Sequence, residues 1–169
     1  MLSHPIGAAP APGAELDGSL FGPDNHCFAC CPDHPTGFHL RFQVEGDEVV
    51  TRFTPSRMHE GAPGVMHGGL VTTLADEVGC WALIALLGKF GFTGTMTSRL
   101  PRPVRIDRVV EGRARIVRDD KRMVHVEVVI SQEGSTCFTS AMMFVVLTES
   151  GAEKMLGGPL PPAWKRFVR

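Results

Sequence analysis

One segment constrains the whole chain. Between His67 and Leu87 the sequence repeats with a helical period, whereas before and after it, from Phe38 to Leu147, apolar and polar residues alternate with period two. Val71, Leu74, Ala75, Val78, Trp81, Ala82 and Ala85 recur at i, i+3, i+4 spacing and form one apolar face, and Gly88 closes the segment. The opposite face reads Thr72, Asp76, Gly79, Cys80, Leu83 and Leu87, small or apolar residues where a solvent face would carry lysines and glutamates. A helix apolar nearly all round is buried on both sides. A sheet covers one side, so a second subunit is expected on the other.

The strands follow from the alternation. HLRFQVEG and EVVTRFTP flank Gly46-Asp47 and predict a hairpin; a Gly/Pro-rich loop runs from Glu60 to Val65 before the helix. Four further strands are predicted at Gly94 to Val104, Val109 to Arg118, Met123 to Ser131 and Thr136 to Leu147, with turns at Asp119-Asp120 and Glu133-Gly134. Val124, Val126, Val128 and Ile130 mark a buried face, with His125 and Glu127 on the other. Two strands, one helix and four strands make an α+β protein. The expected architecture is the hotdog fold, one long central helix wrapped by a curved antiparallel sheet of about six strands. Residues 1–36 read as a poorly ordered arm and Cys-containing loop, 37–150 as the domain, and 151–169 as a tail.

At 169 residues, 43% of them hydrophobic, the chain suits one globular domain. A net charge of −1 argues against a nucleic-acid or membrane-surface role. Arg99, Arg102, Arg105 and Arg108 are broken up by prolines and apolar residues, though Arg99 and Arg102 suit the phosphates of a small ligand. No stretch reads as the ~20 apolar residues of a membrane span, and the N-terminus lacks the charge and apolar core of a signal peptide. Five cysteines, an odd number, then predict free thiols and a cytoplasmic protein.

Asp76 carries the chemistry. It sits on the face expected to be dry, with no lysine or arginine one turn away to neutralise it. A buried Asp bonded to threonines or backbone amides fits the spacing equally well. Upstream, His67-Gly68-Gly69 puts two glycines at the first helical turn, where N–H groups lack intrahelical partners and the macrodipole is positive. Such a terminus polarises a carbonyl and holds the oxyanion formed on attack. Taken together, HGGLVTTLADE resembles the signature of phenylacetyl-CoA-type (PaaI) hotdog thioesterases. CFACCPDHPTGFHLRF and TGTMTSRLPRPV are similar to two further stretches of that family, so the resemblance spans about residues 27–147.

The resemblance implies an acyl-CoA thioesterase acting as a homodimer or dimer of dimers, without a cofactor. It implies Asp76 as general base or nucleophile, Gly68 as the donor to the thioester carbonyl, His67 as an ordering residue and Thr93 as an assisting hydroxyl. Gly69, Glu77, Arg99 and Arg102 complete the expected site as substrate-binding positions. The chain departs from the family at Gly61, where some members have Asn, and at Cys31 and His34, where Gly and Asn are usual. Other members use Glu as the acid, and Glu77 is adjacent, about 100° round the helix.

Three other readings compete. His59 and Pro63-Gly64-Val65 echo the dehydratases of this fold, but the acid position four residues after Val65 is Gly69. A non-catalytic acyl-CoA-binding or regulatory protein needs no unpaired acid at position 76. A zinc knot from His26, Cys27, Cys30, Cys31 and His34 has one Cys-x-x-Cys but no second ligand pair, so no metal is expected.

Overall fold

The computed structural model describes residues 14–168. In chain order it contains β1 (Phe42–Glu45), β2 (Glu48–Phe53), α1 (Gly68–Ala82), β3 (Gly91–Arg99), β4 (Val110–Asp119), β5 (Met123–Gln132), β6 (Ser135–Val146) and α2 (Glu149–Leu156). The strands form a single sheet in the order β1-β2-β4-β5-β6-β3, with every pair antiparallel. α1 touches β2, β3, β4, β5 and β6, so the sheet bends around it. This is the hotdog arrangement.

The expected helical face is buried in full: Val71, Leu74, Ala75, Val78, Trp81, Ala82 and Ala85 all lie in the core. On β5 the alternation holds, with Val124, Val126, Val128 and Ile130 inside. α1 runs into a wider π turn, Leu83–Leu87, and ends at Gly88 with φ 61°, a left-handed cap that favours glycine. The 20 residues Gly68–Leu87 are long and apolar enough to cross a membrane. That departs from the sequence reading. Here they form the central helix beneath the sheet, just over half buried.

Other expectations need correction. Gly79 and Leu83 belong to the inner face: a Cβ on Gly79 would fall 3.1 Å from Met142 Sδ and Phe144 Cζ, and Leu83 is fully buried. The outward strip of α1 is thus narrower, made of Thr72, Thr73, Asp76 and Cys80. β3 stops at Arg99 rather than Val104, because Pro101 and Pro103 cannot donate to a ladder. Residues 14–36 are packed against the body. Leu16 and Phe42 exchange backbone hydrogen bonds of 2.8 and 2.7 Å, and Phe21, Ala29 and Cys30 are buried. Residues 1–13 of the expected arm lie outside the described residues. In the tail, α2 is capped by Thr148, whose hydroxyl accepts from Gly151 N–H at 3.1 Å.

Candidate active site

The first turn of α1 is built by His67. Its Nδ1 accepts from Gly69 N–H at 3.0 Å, so one of the two exposed glycine donors is already engaged. Gly68 N–H has no intrahelical acceptor and meets none elsewhere among the described residues. Of the pair, Gly68 is the free donor. A Cβ there would meet only Leu100 Cδ2, at 3.7 Å, so space does not dictate glycine. Thr72 and Thr73 turn their hydroxyls back onto the Gly68 and Gly69 carbonyls at 3.0 Å each.

Two turns along, Asp76 is half-buried, and Thr93 Oγ1 donates to its Oδ1. Thr93 lies on β3 where the pairing with β6 shifts between Thr93 and Thr95, a bulge of the kind that re-aims a side chain. The sequence-derived pair Asp76 and Thr93 is therefore in contact. In the single chain Asp76 is less enclosed than the helical pattern suggests, because the outward strip of α1 is open. Arg99 and Arg102 are exposed at the far end of β3, on either side of Leu100. Arg102 donates to the Thr136 carbonyl at 3.1 Å, and neither arginine reaches Asp76.

Glu77 points elsewhere, as its helical angle requires. Trp81 Nε1, on a ring stacked on Phe42 at 4.5 Å, donates to Glu77 Oε1 at 3.0 Å. Cys27 Sγ lies 3.6 and 3.7 Å from the two carboxylate oxygens, and Cys30 adjoins both groups. Burial pushes the Glu77 carboxyl up to about 8, and negative charge on Cys27 adds to this. The Cys30 thiol, donating to Cys27, holds the Cys27 sulfur well below the ordinary thiol range. Cys30 is shifted upward by the same hydrogen bond. Proximity of residues 27 and 77 has no local signal in the sequence. The Cys-x-x-Cys spacing alone marked this place.

Asp76 and Glu77 line one cleft of about 170 Å³, with Cys27, Cys30 and Asn25 from the N-terminal segment and Thr93 and Phe92 from β3. Phe21, Trp81, Phe90 and Trp164 make its walls largely aromatic. His26 is exposed, Cys31 is buried, and His34 Nδ1 accepts from Thr36 N–H, so the five-residue zinc knot read from the sequence is not assembled. His59 accepts from Ser56 N–H at 2.9 Å and is part of a small turn, apart from the cleft.

These features can be set beside known proteins. The thioesterase superfamily profile matches residues 63–139, which contain α1 and β3 to β5 and most of the candidate site. No curated protein matches the sequence. Among solved structures the chain is similar to a hypothetical thioesterase from Streptococcus pneumoniae determined with coenzyme A. The two share 20% identity over 62% of this chain and 87% of that one, with a TM-score of 0.58. It is similar also to zebra fish thioesterase superfamily member 2, at 15% identity over 68% and 86% of the two chains and a TM-score of 0.61. A Haemophilus influenzae thioesterase gives 23% identity, 65% and 79% coverage and a TM-score of 0.59. The chain thus has the hotdog fold of these structures, and across the helix and its flanking strands it is similar to the thioesterase superfamily.

Proposed function

We propose that the protein hydrolyses an acyl-CoA thioester, with Asp76 as the acid that activates water or attacks the acyl carbon. The observation that carries this reading is the Asp76–Thr93 pair at the edge of an aromatic cleft, on the same helix as the unengaged Gly68 N–H. A thioester carbonyl held by that N–H develops negative charge on attack, and the helix N-terminus is placed to stabilise it. His67 contributes by fixing the first turn. Gly69 N–H, already bonded to His67, serves geometry rather than the oxyanion.

One chain does not supply the whole arrangement. Gly68 and Asp76 are eight residues apart, a rise of ~12 Å along α1. Attack needs both groups within ~3 Å of the reacting atoms. A second copy, its α1 antiparallel across a two-fold axis, sets Gly68 of one chain beside Asp76 of the other. The cleft volume agrees: about 170 Å³ is below the ~300–1,000 Å³ of a typical ligand pocket. Arg99 and Arg102, exposed beyond the helix N-terminus, suit the CoA phosphates.

The test is a panel of short, long and aromatic acyl-CoAs, with CoA release followed by chromatography because five cysteines would react with a thiol reagent. Turnover of at least one substrate is expected, and Asp76→Asn should lower kcat by ~10²–10⁴-fold with little change in KM. Tight binding of acyl-CoAs without CoA release would instead establish the non-catalytic acyl-binding alternative.

A further inference from the structure

Cys27, Cys30 and Glu77 each bring one ligand-type atom to a common point, all within 4.8 Å of one another, and no other such trio occurs among the described residues. The carboxylate comes from the middle of α1 and the sulfurs from a turn 50 residues earlier. We propose that these three side chains bind a thiophilic divalent cation, zinc best of all, with the fourth coordination position open to the cleft and filled by water.

The geometry fits. Tetrahedral zinc with Zn–S near ~2.3 Å and Zn–O near ~2.0 Å sets sulfur and oxygen ~3.5 Å apart. Cys27 Sγ stands 3.6 and 3.7 Å from the Glu77 oxygens. The donors are also held in place before any metal arrives. Gly18 N–H donates to the Cys30 carbonyl at 2.9 Å, Cys27 N–H to Asn25 Oδ1 at 3.2 Å, and Asn25 Nδ2 to the Gly18 carbonyl at 2.9 Å. Trp81 Nε1 holds Glu77 Oε1, the outer hydrogen bond that orients a ligating carboxylate.

The donor set suits a cation as well. Glu77 forms no salt bridge with any described lysine or arginine, and the walls around it are aromatic. Fully deprotonated, as ligands to a metal, two thiolates and a carboxylate would repel one another in such surroundings, and a cation between them removes that repulsion. Sulfur donors favour zinc over magnesium or calcium. Three protein ligands and one open position is the arrangement of zinc sites that keep a water. The sequence offers only His26, Cys31 and His34 as further ligands, and no metal is expected from them; in the proposed site the third ligand is Glu77, brought in by the fold.

The experiment titrates reduced, metal-stripped full-length protein with cobalt(II), then displaces the cobalt with zinc. One equivalent should bind, with thiolate-to-cobalt charge-transfer bands in the near ultraviolet and the intense visible bands of a tetrahedral site. Glu77→Gln should weaken binding at least ~10-fold, and Trp81→Phe should weaken it ~10–100-fold by freeing the carboxylate. Cys27→Ser/Cys30→Ser should abolish the charge-transfer bands, and Cys137→Ser should leave them intact. No stoichiometric uptake, uptake without thiolate bands, or bands that persist in the Cys27/Cys30 variant would each overturn the proposal. If that variant does not fold, unchanged affinity in Glu77→Gln overturns it instead. Reduction of a Cys27–Cys30 disulfide without subsequent cobalt binding also refutes it.

Discussion

Asp76 and Glu77 are adjacent carboxylates that α1 delivers to different partners. One meets the hydroxyl of Thr93, the other two thiols and an indole. This division leads to a prediction on pH and stability for the reduced, metal-free protein. Glu77 is raised from the ordinary 4.5 to about 8, so between those values the folded chain holds a proton that the unfolded chain has released. That contribution is complete at low pH and is lost as pH rises through about 8. Cys27 is lowered from the ordinary 9.0 to about 5, so across nearly the same window the folded chain lacks a proton that the unfolded chain keeps. Its contribution is present at high pH and is lost as pH falls through about 5. The two slopes oppose, so between about pH 5 and pH 8 the stability of the parent chain in urea unfolding should depend on pH less steeply than that of a variant lacking either group. In Cys27→Ser stability should fall with rising pH, and in Glu77→Gln it should rise. Equal slopes in the two variants would refute the proton placement.

Among the elements, the turn at Cys27–Cys30 owes its position to a glycine far from it in chemistry. A Cβ on Gly18 would lie 2.5 Å from the Cys30 carbonyl oxygen and 2.5 Å from Asn25 Nδ2. Gly18→Ala should therefore cost ~1–3 kcal/mol in urea unfolding by displacing packed backbone. An unchanged midpoint would show that the turn yields freely. The same segment marks where the sequence ceased to be legible. α1 and the strands could be read because their periods are local: each of Val71, Leu74, Ala75 and Val78 announces its face through its neighbours. Asp76 stood out by its place on the helix with no lysine or arginine one turn away, but its role, and Thr93 altogether, were legible only through the resemblance of HGGLVTTLADE and the strand after it. Residues 14–36 carry no period, since Phe21 and Cys30 are buried by contacts with distant elements. Gly79 reads as an outward residue from spacing, and only Met142 and Phe144 place it inside. α2, eight residues long, gives too short a pattern to stand out in a Pro/Gly-rich tail.

At the scale of the whole molecule, β3 is the unfinished part. It is a nine-residue edge strand, largely exposed, and beside it run the open strip of α1 and the exposed Phe92 and Leu100. A long unprotected edge invites pairing with another chain. A two-fold partner along this side would cover it and bring the two α1 helices together, which the central claim requires: thioester hydrolysis at a site made from Gly68 of one chain and Asp76 of the other. The most direct measurement is complementation in mixed dimers. Gly68→Pro removes the N–H donor at the first helical position, where proline is tolerated, and should reduce activity by ~10²–10³-fold. Asp76→Ala removes the acid, and each variant alone should be nearly inactive. A heterodimer of the two contains one intact site and one doubly damaged site, so isolated heterodimers should recover about half of the parent rate per dimer. Verified heterodimers that fold and assemble normally, yet stay as inactive as either variant alone, would contradict the account.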